Sequence, residues 1–251
     1  MLAAIDMGSN SFHMVVARLM HGEIRTLEKM GEKVQLAAGL DRFNRLTEEA
    51  QERALDCLRR FAQRLQGMPR DSVQVVGTNA LRVARNAHQF IRRAEDVLGY
   101  PVEIIAGREE ARLIYLGVSH TLSDDEGRRL VVDIGGGSTE FIIGERFEPL
   151  ELESLHMGCV SFRNRYFSDG KISRRQMDKA ITHAEQELLN IRAHYRSLGW
   201  QSTVGSSGTI KAISGVLENL KITDGTITFD AMQELKRRLV DMGKVERLGE
   251  L

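Results

Sequence analysis

The sequence predicts an α/β fold made of two similar domains. Three observations indicate this: a glycine-bearing hairpin pattern occurs twice, a second glycine motif follows each copy at nearly the same distance, and helical segments lie between them. Motifs that recur in order at matched spacing indicate a duplicated domain rather than chance. A chain of 251 residues also exceeds the usual size of one domain.

The first repeated pattern is a strand, an Asp-Gly turn and a second strand. Residues Ala4–Ser11 align with Val131–Ser138, and the apolar run Met14–Val16 aligns with Phe141–Ile143. Each copy is typical of a β-hairpin, and we expect the glycines of its tight turn to adopt a positive φ.

The second repeated pattern ends an apolar strand and leads toward a helix. It comprises Val76–Thr78 in the first half and Val204–Ser206 in the second. Because it follows both hairpins in the same frame, we interpret the two halves as copies of one α/β domain.

Capping signals mark the longer helices. Thr47 precedes a helical segment that starts at Glu48, and Ser173 with Gln176 forms a capping box before an apolar stripe that ends at Gly199. The stripe has helical spacing and is interpreted as core packing.

A helix over residues 108–116 is expected to connect the halves. The polar segment Thr121–Gly127 after it has turn-forming and charged residues without apolar periodicity, which is typical of a linker. We therefore predict one domain over residues 1–120 and a second over residues 121–251.

Composition excludes several classes of protein. The 35 basic residues balance the 35 acidic ones, which argues against a nucleic-acid partner or an acidic membrane surface. The two cysteines, Cys57 and Cys159, lack metal-ligand spacing and fit a reducing compartment. A charge at Asp6 interrupts any signal sequence, and no segment has the length of a membrane span. A cytoplasmic location is predicted.

The second hairpin has the residues of a phosphate cradle. Its backbone N–H groups can approach phosphate oxygens, and its flanking acids Asp133 and Glu140 can hold a divalent cation. The bland alternative is a glycine-rich hairpin with capping acids. The predicted phosphate-binding residues are Gly135, Gly136, Gly137, Ser138 and Thr139.

The first hairpin is predicted to be a companion phosphate loop. His13 aligns with Glu140, so it either touches substrate or is a structural histidine. A third glycine-serine segment opens onto a helix, where free amides and the helix dipole favour an anion, although a plain capped helix fits too. The residues are Asp6, Gly8, Ser9, Asn10, Ser11 and His13 in the hairpin and Gly205, Ser206, Ser207, Gly208 and Thr209 in the third segment.

Two charged positions complete the candidate site. Arg82 follows the first glycine motif and can offer a planar fork to a phosphate, unless it is a surface arginine. Either Glu109 or Glu110 could deprotonate an attacking water, and a surface salt bridge is the alternative for both. The residues alone leave the choice between the two glutamates open.

Six ordered motifs, which extend through nearly the whole chain, resemble the exopolyphosphatase / guanosine pentaphosphate phosphohydrolase family. They are Asp6–Met14, Gly77–Arg82, Gly107–Gly117, Asp133–Glu140, Met157–Phe162 and Gly205–Lys211. The resemblance implies two actin-like (ribonuclease H-like) domains with a substrate cleft between them. It also implies that further residues would close the second domain at its carboxyl end, and that the full-length protein is a homodimer.

By that resemblance, Glu110 matches the general base and Arg82 the phosphate-binding arginine. Asp133 and Glu140 match the carboxylates that serve Mg²⁺ or another divalent cation. The implied activity is release of orthophosphate from the end of inorganic polyphosphate by attack of water. Three alternatives stay open: hydrolysis of guanosine pentaphosphate to the tetraphosphate, a non-catalytic sensor that binds polyphosphate or an alarmone, and an actin-like kinase.

Overall fold

The computed structural model describes residues 1–123 and 126–250. It divides into two compact units, Met1–Glu110 and Ala111–Leu251. The division lies within a helix, before the predicted boundary that follows residue 120. The predicted linker Thr121–Gly127 includes residues 124 and 125, which lie outside the described residues.

The first unit contains a five-stranded sheet with the order β3-β2-β1-β4-β5. In chain order its elements are β1 (Leu2–Met7), β2 (Phe12–Met20), β3 (Glu23–Glu32), α1 (Glu48–Leu65), β4 (Val73–Gly77), α2 (Asn79–Val83), α3 (Ala87–Leu98) and β5 (Glu103–Ile104). Helix α4 (Gly107–Ser119) starts in this unit and continues into the next.

Alternation along the strands places the core of the first unit. In β1, Ala3, Ile5 and Met7 are buried while the residues between them are exposed, and the facing positions of β2 are buried too. Helices α1 and α3 cover this apolar face. The predicted cap of α1 is confirmed, because the Thr47 hydroxyl accepts a hydrogen bond from the N–H of Ala50.

The second unit contains a four-stranded sheet with the order β8-β7-β6-β9. Its elements are β6 (Arg128–Ile134), β7 (Thr139–Glu145), β8 (Glu148–Leu155), α5 (Cys159–Tyr166), α6 (Arg174–Leu198), β9 (Ser202–Ser206), α7 (Ser207–Asn219) and α8 (Phe229–Met242). The Ser173–Gln176 capping box and the end of α6 at Gly199 are as predicted.

The sheets confirm the duplicated α/β architecture. Strands β1, β2, β3 and β4 of the first sheet occupy the same order and directions as β6, β7, β8 and β9 of the second. In both units the central strand pairs with an antiparallel hairpin partner on one side and a parallel strand on the other. The two hairpin motifs therefore lie at equivalent places in two similar sheets.

Each repeated glycine motif makes room for the helix that follows it. A Cβ added at Gly77 would collide with the side chain of Leu81, and one added at Gly205 would collide with Ile210. Neither glycine has a positive φ. Their shared role is close packing of a helix against the end of a strand.

The described residues contain no helix with the length and apolarity needed to cross a lipid bilayer.

The single tryptophan, Trp200, precedes β9 in the second unit and is 36% exposed.

We predict that Cys57 does not react with iodoacetamide in the folded protein. Its side chain on α1 is fully buried, and this burial, with a smaller effect of nearby Glu32, raises the pKa of the thiol to about 12. Because the thiolate is the nucleophile, little reaction is expected at pH 8. Peptide mass mapping after alkylation, with and without denaturant, checks this. Full native labelling of the Cys57 peptide would contradict it.

Candidate functional site

The two hairpin turns have the same construction. A Cβ at Gly8 would lie 2.7 Å from the carbonyl oxygen of Ser11, and one at Gly135 would lie 3.2 Å from that of Ser138. The expected positive φ is wrong, because none of the turn glycines adopts it. At Gly8 a carbonyl oxygen occupies the space of a side chain, and at Gly135 the same approach is tight but less close.

The first turn is tied to its surroundings through Ser9. The Ser9 hydroxyl is buried and accepts a hydrogen bond of 3.1 Å from the N–H of Ala80 in α2, the helix that also contains Arg82. The Ser9 carbonyl accepts from Ala37, and the Asn10 carbonyl accepts from Gln35. The Ser9 side chain therefore caps a helix, and the groups that this turn could offer to an anion are its backbone amides.

The second turn receives the start of α5. The carbonyl of Gly135 accepts from the N–H of Cys159, and that of Gly136 accepts from Val160 and Ser161. A Cβ at Gly158 would overlap the backbone of Gly136 and Gly137. Gly158 thus lets the two segments pack backbone against backbone.

Two predicted phosphate-binding hydroxyls lie under this turn rather than at its surface. Ser138 and Thr139 are each 3% exposed, and the Thr139 hydroxyl donates to the carbonyl of Met157 over 2.5 Å. Among the described residues, no internal hydrogen bond uses the N–H of Gly137, which is only half-buried. Backbone amides are therefore the groups that this turn can offer to an anion.

Asp133 and Glu140 face each other across the β6–β7 pair. Burial raises the pKa of Asp133 above its ordinary value, and hydrogen bonds from Ser206 and Ser207 offset part of the rise. Glu140 is 1% exposed and accepts a hydrogen bond of 2.8 Å from the Ser154 hydroxyl. The two carboxylates therefore lie at paired positions of the hairpin, and both are shielded from water.

These two carboxylates fit a hard divalent cation. Opposed residues of an antiparallel pair have Cβ atoms about 4.5–5.5 Å apart, and Mg²⁺ is usually held by one or two carboxylates together with water or phosphate oxygens. Within residues 1–123 and 126–250 no group of three or more His, Cys, Asp or Glu side chains is arranged for a metal ion. Asp133 and Glu140 would therefore supply two of the oxygen ligands of such an ion, and water or phosphate would supply the others.

In the first unit, Asp6 and His13 occupy the positions equivalent to Asp133 and Glu140. They are register partners on β1 and β2, and His13 is also opposite Gly31 on β3. A Cβ at Gly31 would lie 2.9 Å from Nδ1 of His13, so the missing side chain accommodates the imidazole. Both Asp6 and His13 are exposed, unlike Glu140.

The third predicted segment straddles the end of β9 and the start of α7. Ser206 is the N-cap residue of α7, and its side chain makes no capping hydrogen bond to the helix. The Ser207 backbone has a φ of 78°, and its hydroxyl donates to the carbonyl of Ile134 over 2.7 Å. Gly208 and Thr209 lie in the first turn, where helix N–H groups lack partners within the helix.

Arg82 and Glu110 form an ion pair. Nη1 of Arg82 lies 2.8 Å from Oε2 of Glu110 and donates to the carbonyl of Ile105 over 2.9 Å. The side chains are only 19% and 17% exposed. The structure therefore brings together the predicted phosphate-binding arginine and the predicted base, both within the first unit.

Sequence reasoning gave no role to two residues that support the second hairpin. Ser154 donates to Glu140 from β8, and Gly158 lets α5 approach the turn. Gly158 lies in the motif Met157–Phe162, so the sequence indicated this residue but not its contact with the hairpin turn. Ser154 carries no local signal, because its role arises only from the pairing of β7 with β8.

Comparisons with known proteins extend over almost the whole chain. A model of the Ppx/GppA phosphatase family matches residues 15–249. A Haemophilus influenzae protein, named provisionally as an exopolyphosphatase, is 50% identical over 234 residues, which cover 93% of this chain and 72% of that protein. The family expected from the motifs is thus confirmed.

Relatives with a second activity are nearly as similar. A guanosine-5'-triphosphate,3'-diphosphate pyrophosphatase from Vibrio vulnificus is 48% identical over 246 residues, which cover 98% of this chain and 49% of that protein. The chain thus spans about half the length of this relative. The crystal structure of an exopolyphosphatase from Cytophaga hutchinsonii has a TM-score of 0.83 and 28% identity, covering 98% of this chain and 82% of that one. The actin-like fold class is confirmed.

We predict that Gly158→Ala lowers the free energy of unfolding by about 1–3 kcal/mol, the usual range for overpacking. The added methyl group would overlap backbone atoms, which cannot rotate aside. Gly215→Ala in α7 is the control, because nothing lies within 4 Å of its added Cβ and alanine favours a helix by about 0.5–1 kcal/mol. Urea denaturation measures both. Equal stabilities of Gly158→Ala and the parent would contradict the close packing.

Proposed function

This chain belongs to the Ppx/GppA phosphatase family, and we propose that it is an exopolyphosphatase, which hydrolyses the terminal phosphoanhydride of inorganic polyphosphate and releases orthophosphate. The relative that is 50% identical has an exopolyphosphatase name. The observation that carries the proposal is the half-buried pair of Arg82 and Glu110, because it combines a phosphate-binding cation with a base.

The pair suits both roles. Association with a guanidinium favours the ionised form of a carboxylate, which is the form that can accept a proton from water. Within the described residues, the hydrogen bonds of Arg82 use only Nη1. Nε and Nη2 therefore remain to bind phosphate oxygens while Nη1 holds Glu110.

In the proposed reaction, backbone N–H groups of the first hairpin turn bind phosphate oxygens in the first unit. In the second unit, those of the other hairpin turn and of the first turn of α7 offer further anion-binding groups. Arg82 binds an oxygen of the phosphate under attack, and Glu110 orients a water molecule and takes its proton. Positioning and electrostatic stabilisation dominate such phosphoryl transfers. The Asp6 carboxylate and His13 imidazole lie at the end of the first hairpin, where they would contact substrate or its hydration shell.

We further propose that Asp133 and Glu140 hold Mg²⁺ or another divalent cation. Bound there, the ion would neutralise negative charge on phosphate oxygens. The hydroxyls of Ser206, Ser207 and Ser154 hold the two carboxylates in place, which is the supporting role usual for residues around a metal ligand.

Hydrolysis of guanosine pentaphosphate to the tetraphosphate is the second candidate. The Vibrio vulnificus pyrophosphatase is almost as similar in sequence as the exopolyphosphatase relative. Both substrates end in a phosphoanhydride that the same amides and arginine would bind. A cytoplasmic location and a homodimer are predictions of the sequence that stand beside this proposal.

We predict that Glu110→Gln lowers the rate of Mg²⁺-dependent phosphate release by about 10²–10⁴-fold, the usual contribution of a general base. Glu109→Gln is the matched control, because it makes the same change one residue away and is expected to keep near-parental activity. Phosphate release from long-chain polyphosphate and from guanosine pentaphosphate, measured in parallel, identifies the substrate.

The outcomes separate the candidate functions. A loss of release confined to Glu110→Gln establishes a hydrolase and the role of the base. Equal activity of both variants would overturn the assignment of Glu110. Binding of polyphosphate without release from either substrate in the parent chain would indicate a sensor, and ATP consumption only with an added acceptor would indicate a kinase.

For Arg82→Lys we expect a higher KM for polyphosphate and a lower kcat, although the charge is retained. Lysine cannot hold Glu110 and a phosphate with separate planar N–H groups. Arg85→Lys, at an exposed position three residues later and outside α2, is the control and should behave like the parent. Steady-state kinetics check this, and unchanged constants for Arg82→Lys would argue against a phosphate contact.

A further inference from the structure

A basic cavity of about 700 Å³, open to solvent, lies in the second unit, between the end of α5 and the first four turns of α6. Four exposed cationic side chains line it: Arg165, Arg174, Arg175 and Lys179. Asp178 is the one acidic residue in the lining. None of these residues belongs to the three phosphate-binding segments, so the function proposed above gives the cavity no role.

The cavity cations lack carboxylate partners within the described part of the chain. Several arginines on the helices of the first unit do have such partners: Arg53 pairs with Glu49, Arg60 with Glu32 and Arg93 with Glu48. On α6, Asp178 is four residues from Arg174, which is a favourable spacing for an ion pair, yet no pair forms. The cavity therefore has an excess of positive charge that the protein does not neutralise itself.

Two of the cations lie at the N-terminus of a helix, where positive charge is unfavourable. Arg174 and Arg175 are in the first turn of α6, and that turn contains no acidic residue. The positive end of the helix dipole makes cations unfavourable there. Arg175 and Lys179 are also like charges at four-residue spacing, which is unfavourable as well. An anion bound in the cavity would attract these cations and so offset both the dipole effect and the repulsion between like charges.

The aromatic side chains at the cavity are already stacked. His183 lies parallel to Phe162, with ring centroids 5.2 Å apart and planes at 7°, and Tyr166 packs against both rings. The Arg165 guanidinium covers the Tyr166 ring at 5.5 Å. The cavity thus offers cationic groups rather than an open aromatic face.

We propose that this cavity binds a condensed phosphate chain, with several negative charges close together, through Arg165, Arg174, Arg175 and Lys179. Single-stranded nucleic acid is less well matched, because such sites stack bases on free aromatic rings and follow an extended groove. Four cations around one concave space fit a compact polyanion of linked phosphates.

The test uses the Glu110→Gln chain, so that the ligand is not consumed, and isothermal titration with tripolyphosphate. We expect two sites per chain, one at the hairpin segments and one at the cavity. Arg175→Gln with Lys179→Gln should remove the cavity site or weaken it by about 10-fold or more, the effect of losing charge-assisted hydrogen bonds. Arg192→Gln with Arg196→Gln is the matched control, because it removes the same charge from exposed positions of α6 outside the cavity.

A second measurement leaves the four cations of the cavity unchanged. His183 lines it, so its imidazole NMR signals, assigned with His183→Gln, should shift on addition of tripolyphosphate. GTP and a short single-stranded RNA are titrated in parallel. A shift with tripolyphosphate alone identifies inorganic condensed phosphate as the source, and a shift with GTP as well identifies a nucleotide phosphate tail; both support the proposal.

Three results would overturn the proposal. They are retention of both sites after loss of Arg175 and Lys179, equal weakening by the control pair, and a response of His183 to RNA without one to tripolyphosphate. Because phosphate release is not part of the readout, failure of this site and failure of the hydrolase assignment remain distinguishable.

Discussion

Where the central strand of each unit ends, the backbone turns so closely on itself that a carbonyl oxygen occupies the space of a side chain. Gly8 and Gly135 make this possible in the hairpins, and Gly158 lets a helix start against the second turn. Gly77 and Gly205 do the same for the helices that follow the parallel strands. Without these approaches, the turn amides and the helix starts would not lie beside the acidic ends of the strands.

The two units use this shared framework for different charges. In the first, the guanidinium of Arg82 neutralises Glu110 directly. In the second, Asp133 and Glu140 accept hydrogen bonds from hydroxyl groups, which orient the carboxylates. The duplicated halves therefore differ in the residues that contact their acidic groups.

Local patterns were sufficient for much of the fold. The Thr47 cap, the Ser173–Gln176 box and the duplicated hairpins all depend on residues close in sequence, and each is found where predicted. Contacts between distant segments were not predictable in this way. Ser9 is predicted to contact phosphate, and its hydroxyl also caps α2 about 70 residues later, a partner that no local rule indicates.

The glycine conformation shows the same limit. A glycine in a turn signals a positive φ, yet Gly8 and Gly135 are required because another segment approaches, which sequence spacing does not reveal. The Arg82–Glu110 pair likewise depends on how α2 meets α4. The motifs did identify the two residues, because the resemblance had already selected both Arg82 and Glu110 as site residues.

Ser207 combines a strained backbone with a side-chain contact beside a candidate metal ligand. Its left-handed backbone disfavours any side chain by about 1–2 kcal/mol, and glycine would remove that strain. The hydroxyl that glycine lacks donates to the carbonyl of Ile134, next to Asp133, and so joins the end of β6 to the start of α7. Glycine would therefore relieve the backbone strain but remove a contact beside a candidate metal ligand, so residue 207 should be held constant when a stabilised enzyme is engineered.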